Sequence, residues 1–596
     1  MYQTFTTTAR PDEGPARLSA LRAAMADRML DGFLIPRADA HQGEYVAPRD
    51  ERLAWLTGFT GSAGFCVALQ DVAGVFIDGR YRTQVKSQVA DVFTPVPWPE
   101  TGMADWLIEH LPKGGRVGFD PWLHTVEQIS KAQAALAPKG ITLERVDNLV
   151  DLIWNDQPKA PQNPVKPHPL EFAGESAADK AARLGAALSE AGHRAAVLTL
   201  PDSIMWLLNI RGSDIARNPI AQGFAVLMAN GSVDLFMDPA KLEGLEDHLG
   251  DTVRCHDPAG FEAFLRDLPG PVRIDPGSCP QRVADLLDDT AVKGDEPCAL
   301  PKARKNAAEI AGARAAHLRD GAAVVELLAW LDAQAPGSLS ETQVVTRLEA
   351  QRRKDNALQD ISFDTIAGTG PHGAIMHYRV TTETDAMLED GQIMVLDSGG
   401  QYLDGTTDIT RTIAMGTPDP EACAAFTRVL QGMIAMSRLR WPAGLAGRDI
   451  EAIGRMPLWL AGQDFNHGLG HGVGAYMSVH EGPQRLSRVS EVPLEPGMIL
   501  SNEPGYYREG AFGIRIENLI VVQQAEDLQS SDPERNFLDW ETLTFVPIDR
   551  RLIVTKMLTA DERAWLNTYH AEVLARIGPR VDGDAAAWLD RACAPL

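Results

Sequence analysis

Short apolar runs, each closed by glycine, proline or an acidic residue, recur through the first half of the chain. Asp31-Gly-Phe-Leu-Ile-Pro36 leads into Asp50-Glu-Arg-Leu-Ala-Trp55-Leu-Thr-Gly-Phe, then Gly64-Phe-Cys-Val-Ala-Leu69 and Gly74-Val-Phe-Ile-Asp78. About 150 residues further on the order returns: Ala195-Ala-Val-Leu-Thr-Leu200, Asp202-Ser-Ile-Met-Trp206-Leu-Leu-Asn-Ile, Gly223-Phe-Ala-Val-Leu-Met228 and Val233-Asp-Leu-Phe-Met237. Such runs between turn residues predict buried strands, and each set includes a short helix carrying a tryptophan. Two tandem α/β domains of one type follow, with Trp55 and Trp206 in their cores.

The pattern changes in the third segment. Glu309 to Trp330 is rich in Ala, Leu and Val and predicts a helix. Ser338-Leu-Ser-Glu341 has the spacing of a capping box ahead of a second helix, Glu341 to Lys354. Strands are expected at Ile393–Asp397, Asp408–Ile413, Met498–Ser501 and Gly513–Ile520. The tail predicts one more helix, opened by Thr559-Ala-Asp-Glu562, with Trp565, Leu566, Tyr569 and Val573 on one face.

Pro158 to Pro169 holds five prolines in twelve residues, which sustains neither a helix nor a central strand. Asp295 to Pro301, followed by a basic patch from Lys302 to Lys305, is a softer boundary. The expected organisation is domain I at 1–160, domain II at 161–300, a catalytic domain at 301–530 and a C-terminal extension at 531–596. The net charge of −25 gives no electrostatic footprint for nucleic acid or an anionic membrane. No apolar run reaches the roughly 18 residues of a membrane span. Six scattered cysteines without a CxxC pair, and an N-terminus without an apolar signal core, fit a reduced cytoplasm rather than a disulfide scaffold.

Acidic residues are depleted in strands, so those inside apolar runs carry information. Asp397 closes Ile-Met-Val-Leu, and Asp408 opens the next strand across the turn-rich stretch Ser398 to Gly405. Brought side by side, the two carboxylates repel unless a cation or a proton intervenes; the alternative is a pair of strand-end caps at the surface. Glu503 follows the strand ending at Ser501, and alternation puts Glu517 on the same strand face as Arg515, either as a buried pair or as a solvent-facing ion pair. Three histidines fall within 14 residues: His467, His471 and His480. Glycines at 468, 470, 472 and 474 break a zinc-binding helix and let the backbone approach a ligand. His377 ends another glycine-rich stretch that begins at Gly368. Two Asp, two Glu and one His form a hard ligand set whose four negative charges balance two divalent cations. Oxygen-rich sites suit Mn²⁺ or Mg²⁺-like ions, and one imidazole adds affinity for Mn²⁺, Co²⁺ or Zn²⁺. Two metals about 3.5 Å apart can share a water, lower its pKa and clamp a carbonyl oxygen.

As a set, Asp397-Ser-Gly, Thr407-Asp408-Ile-Thr-Arg-Thr, His467-Gly-Leu-Gly-His471-Gly-Val-Gly, Asn502-Glu503-Pro-Gly-Tyr-Tyr and Arg515-Ile-Glu517-Asn resemble the creatinase/prolidase/methionine aminopeptidase superfamily. The whole chain is similar to its three-domain Xaa-Pro aminopeptidases. The resemblance implies two creatinase-like N-terminal α/β domains and a pita-bread α/β catalytic domain. It implies a proline-specific metalloprotease that releases the residue before proline, using a hydroxide that bridges two divalent metals, manganese ahead of cobalt or zinc. It further implies a cytoplasmic homodimer acting on peptides with proline in second position.

Carried over by residue, the resemblance makes Asp397, Asp408, His471, Glu503 and Glu517 the metal ligands, with Asp408 and Glu517 bridging and Glu503 also moving the proton. His377, His467 and His480 match substrate-binding and proton-handling histidines, and Arg515 and Tyr507 match supporting roles. Leu469 stands where a small polar residue is expected. A prolidase, confined to dipeptides, is disfavoured by the second N-terminal domain. A metal-free binding module of the histone-chaperone kind and a metal-free creatinase are disfavoured by the full ligand set.

Overall fold

The computed structural model describes residues 1–530, 532 and 534–596. The chain forms two compact units, Thr8–Ala299 and Met1–Thr7 with Leu300–Leu596. Among the described residues no helix is long and apolar enough to cross a membrane.

The first unit contains two six-stranded sheets with one strand order. In the first, Thr94–Pro97, Ala73–Ile77, Phe65–Leu69, Gly32–Pro36, Gly115–Phe119 and Ile141–Arg145 lie side by side. In the second the same places are taken by Val253–His256, Val233–Phe236, Phe224–Met228, Ala195–Leu198, Val272–Ile274 and Ala291–Lys293. In each, the first apolar strand runs antiparallel to one neighbour and parallel to the other. The repeated sequence pattern is therefore a repeated fold. Trp55 stacks on Trp154 with ring centroids 5.1 Å apart. Trp206 is buried, with the Lys180 ammonium 4.3 Å from its ring centroid. Of the proline-rich stretch, only Lys166–Pro167 joins a ladder, pairing with Ile210–Arg211.

In the second unit, helix Ala307–Asp332 opens on Asn306, whose side chain accepts from the Ala308 and Glu309 N–H groups, while Glu309 accepts from the Asn306 N–H. The next helix is Glu341–Arg352, and its cap is Ser340 rather than Ser338. The Ser340 N–H donates to Gln343 Oε1 at 2.9 Å. A cap must directly precede the first helical residue, and Ser338 lies too early. Glu341 is thereby freed to turn inward, where it is fully buried. At the softer boundary Ala299–Ala303 is a short helix, and Lys302 and Lys305 of the basic patch are buried on the Glu481 carboxylate.

Two sheets carry the acidic residues. Ile366–Thr369, Ile393–Ser398 and Ile409–Ala414 form one, backed by Val324, Leu327, Leu331, Val345 and Leu348 of the first helix pair. The other runs in the order Trp441–Pro442, Phe537–Thr542, Asn518–Gln524, Ile499–Asn502, Gly470–Gly472 and Glu481–Leu486. Its core includes Phe426, Leu430, Met433, Ile450 and Leu458 from helices Pro420–Ser437 and Gly447–Trp459. Two sheets, each backed by a helix pair, make the pita-bread arrangement.

The strand expected at Gly513–Ile520 is broken. Phe512–Arg515 pairs with Gly505–Arg508, whereas Asn518–Gln524 joins the six-stranded sheet. The change falls at Ile516 and Glu517 because the Glu517 N–H bonds the Thr410 carbonyl at 3.1 Å, on a different sheet. The tail helix is Ala560–Ile577, boxed by Thr559 and Glu562, with Leu566, Tyr569 and Val573 buried. At the other end, Gln3 and Thr365 exchange two hydrogen bonds of 3.2 and 2.8 Å, and the Tyr2 and Gln3 N–H groups donate to Glu349.

Candidate metal centre

Asp397 lies next to last in its strand, and Asp408 directly precedes the strand Ile409–Ala414. The antiparallel register pairs Asp397 with Thr410 and Ser398 with Ile409, so both carboxylates sit at one end of the sheet. His471 is the middle residue of Gly470–Gly472, Glu503 follows Ile499–Asn502, and Glu517 stands where the chain changes sheets. These five converge. His471 Nε2 is 3.5 Å from Asp408 Oδ2 and 3.5 Å from Glu503 Oε1. Ligand atoms of Asp408, His471 and Glu517 all lie within 4.8 Å of one another.

The surroundings orient each group. His471 Nδ1 lies 2.9 Å from the Gly472 carbonyl. A carbonyl only accepts, so Nδ1 carries the proton and Nε2 offers its lone pair to the carboxylates. Ser501 Oγ accepts from the His471 N–H and donates to Glu503 Oε1. Thr410 Oγ1 donates to Glu517 Oε2 at 2.8 Å. Arg515 donates from Nη2 to Asp397 Oδ2 and from Nη1 to the Tyr507 hydroxyl, and that hydroxyl lies 2.9 Å from His467 Nε2. The His480 ring is 4.3 Å from that of His471. Gly470 has no room for a side chain, since a Cβ there would fall 1.9 Å from the Ser501 carbonyl. Leu469 is buried and serves the site through its backbone: its carbonyl accepts the Glu503 N–H at 2.9 Å.

His377 is half-buried on the turn that follows Gly370–Ala374. The strand leading into this segment pairs Ile366 with Asp397. Gly373 and Gly513 touch so closely that a Cβ on Gly513 would fall 1.7 Å from the Gly373 carbonyl. The root of the His377 segment is thus fixed beside the strands of Asp397 and Arg515.

Burial first, and the neighbouring carboxylates second, push the Asp408 and Glu517 carboxyls well above their usual range. Burial raises Glu503 to about 7 against the opposing pull of Arg515. Asp397 Oδ1 and Asp408 Oδ1 are buried without a hydrogen-bond partner among the described residues. A buried, unpartnered carboxylate oxygen is costly in a folded protein unless a cation meets it. Hard oxygens and one neutral imidazole fit a pair of divalent cations.

Some supporting groups escaped the sequence reading. Arg411 is buried and donates to the Glu517 carbonyl at 2.6 Å, to Asn518 Oδ1 and to the Tyr569 hydroxyl. Asp320 and Arg352 form a fully buried ion pair at 2.6 Å. Asp320 also accepts from Tyr402 and Thr407, and Arg352 donates to Ser398, so the pair braces the chain next to Asp397 and Asp408. A signal was present: Asp320 stands four residues from both Ala316 and Val324, on the buried stripe of its helix.

The family model described as metallopeptidase family M24 matches residues 311–524, and that of the C-terminal region of peptidase M24 matches 536–596. Two models of the creatinase/prolidase N-terminal domain match 17–153 and 156–309. The chain is 36% identical to aminopeptidase P1 of Lotus japonicus, over 97% of this chain and 99% of that one. It is 38% identical to a probable Xaa-Pro aminopeptidase P of Laccaria bicolor, over 97% and 93%. Its fold matches the crystal structure of X-prolyl aminopeptidase from Caenorhabditis elegans, described as a cytosolic enzyme with a di-nuclear active site. The TM-score is 0.94 at 32% identity, covering 98% of this chain and 100% of that one. The chain belongs to the aminopeptidase P family of Xaa-Pro aminopeptidases, hydrolases built on the M24 metallopeptidase fold.

Proposed function

We propose that this aminopeptidase hydrolyses the bond between an N-terminal residue and a following proline, with two divalent cations held by Asp397, Asp408, His471, Glu503 and Glu517. The observation that carries the reading is the clustering of Asp408, His471 and Glu517, whose ligand atoms lie within 4.8 Å of one another, with Glu503 3.5 Å from His471 and with Asp397 Oδ1 and Asp408 Oδ1 buried without a hydrogen-bond partner among the described residues. When bound, such cations supply Lewis acidity and a nucleophilic water at neutral pH. Manganese suits this donor set ahead of cobalt or zinc.

The chain's own groups divide the remaining work. Arg515 holds Asp397, and Thr410 holds Glu517. Glu503, whose Oε1 accepts from Ser501 Oγ 3.1 Å away, is placed beside His471 to take a proton and pass it to the departing proline nitrogen. His377 and His480 bind the substrate and donate to its carbonyl oxygen as negative charge develops there. His467 and Tyr507 complete the peptide-binding wall. Proline's missing N–H and fixed φ give a kinked tertiary amide that such a pocket recognises by shape.

The same reading makes the protein a cytoplasmic homodimer whose domains end near residues 160, 300 and 530. Its six cysteines form no disulfide among the described residues, which suits a reducing compartment. Met456, Trp459 and Leu460 are exposed at the end of helix Gly447–Trp459, as is Val489, and the Arg488 guanidinium lies 5.6 Å from the Trp459 ring centroid. Exposed apolar side chains gathered in this way mark an interface.

The test is a matched set of peptides with Mn²⁺: X-Pro-Pro, acetyl-X-Pro-Pro, X-Ala-Pro and the dipeptide X-Pro. The free tripeptide with proline second should be cleaved, and the acetylated and alanine peptides should not. Equal rates for free and acetylated peptides would overturn the reading. Activity confined to the dipeptide would make the protein a prolidase.

A further inference from the structure

We infer that Glu341 is the positioning residue for His377, fixing through one buried carboxylate the loop on which that histidine is carried. The inference rests on the reading of His377 as a substrate-binding group. Glu341 is the first residue of helix Glu341–Arg352, where an acidic side chain ordinarily faces solvent and complements the helix dipole. Here it is fully buried. Its Oε1 accepts from the Thr369 N–H at 2.8 Å and lies 2.9 Å from His372 Nδ1. Its Oε2 accepts from the Tyr378 hydroxyl at 2.9 Å and from the Ala386 N–H at 3.3 Å.

All four partners belong to one segment. Thr369 is the last residue of the strand that enters it, His372 lies in the turn Gly370–Ala374, Tyr378 directly follows His377, and Ala386 lies on the way back to the strand beginning at Ile393. Between Thr369 and Ile393 the chain contains no named strand or helix beyond that turn; its return is held by a single antiparallel bridge of Met387 to Ser340, and the stretch carrying His377 lies outside that bridge. The carboxylate adds what that bridge does not: it joins the root, the turn and the return of the loop at one point. Tyr378 spreads the constraint, because its hydroxyl oxygen also lies 3.0 Å from the Thr384 hydroxyl, which can donate to it, and its ring stacks on His372 with centroids 4.4 Å apart. Small displacements of a group that meets the transition state are expensive in rate. A carboxylate that holds the residue beside His377 therefore acts on catalysis through His377.

The experiment is a double-mutant cycle on the manganese-loaded full chain. Glu341→Gln and Tyr378→Phe are each made in the wild-type and in the His377→Ala background, and kcat/KM for X-Pro-Pro is measured with metal content. Glu341→Gln keeps the shape of the side chain but sets an amide NH₂ against donors. It should lower kcat/KM about tenfold with metal content unchanged, and should cost little more once His377 is alanine. Tyr378→Phe, the milder variant, should show a smaller loss with the same coupling, and it decides the matter if Glu341→Gln does not fold. Equal fold-losses in both backgrounds, or wild-type kcat/KM for both variants, would overturn the inference. A wild-type rate for His377→Ala alone would overturn the reading of His377 itself, and the inference with it.

Discussion

Arg515 places Nη2 2.6 Å from Asp397 Oδ2 and Nη1 2.7 Å from the Tyr507 hydroxyl, so one planar group joins a proposed metal ligand to the pair Tyr507 and His467. A lysine ammonium is a single point charge and cannot span both partners. Arg515→Lys should keep its metal and lose about tenfold or more in kcat/KM, which corresponds to about 1.4 kcal/mol of transition-state binding. Steady-state kinetics paired with elemental analysis of the same sample checks this.

Ligand and substrate roles separate by metal content. Asp408→Asn should lose metal and activity together, because Asp408 is buried among three other carboxylates. His480→Ala should retain about two metals per chain and lose rate. Finding His480→Ala metal-free and Asp408→Asn fully loaded would invert the assignment.

Metal binding should expel protons. The Asp408 and Glu517 carboxyls are raised well above the carboxylate range, and Glu503 to about 7, so the metal-free site holds protons at pH 6. Cations compete with those protons, so apparent affinity should fall as pH drops through the Glu503 transition near 7. Titration calorimetry of chelator-treated protein with Mn²⁺, in two buffers of different ionisation enthalpy, reads the release directly. The Glu503 share of the release should be present at pH 6 and gone at pH 8.5, so the release should be larger at pH 6; equal release at both would contradict the raised Glu503 carboxyl.

The buried pair of Asp320 and Arg352 is a stability element rather than a catalytic one. Removing one partner leaves the other charged and buried, at a cost of about 3–5 kcal/mol. Asp320→Ala should therefore lower the urea midpoint of the metal-loaded protein sharply. A midpoint within error of wild type would show that the pair is not needed.

Trp459→Glu puts a charge into the exposed apolar patch of Met456, Trp459, Leu460 and Val489. Sedimentation equilibrium should give the dimer mass for the wild type and the monomer mass for the variant. A dimeric variant would move the interface elsewhere.

Much of this architecture was legible because it is written in short-range patterns. The apolar runs of the two N-terminal domains repeat in order, and the folded sheets repeat in the same order. The acids inside apolar runs, Asp397 and Glu517, are buried at the centre, as strand statistics lead one to expect. What escaped depends on partners distant in sequence. Glu341 looked like the end of a capping box, yet its donors lie at residues 369 to 386. Lys302 and Lys305 read only as a basic patch at a boundary, and their partner Glu481 lies far along the chain. The break at Ile516 is invisible to alternation, because a hydrogen bond from Glu517 to Thr410 on another sheet imposes it.

The seam between Gln3 and Thr365 sets an order of events during synthesis. The two residues stand 362 positions apart, with both creatinase-like domains between them. Residues 1–7 are translated before those domains and find their partners only after them. Loop-closure entropy grows slowly, by about 0.6 kcal/mol per doubling of length, so the long separation delays this seam more than it weakens it. The seam's own hydrogen bonds lie wholly within the catalytic unit, so changes in surface loops of the intervening domains leave those contacts untouched.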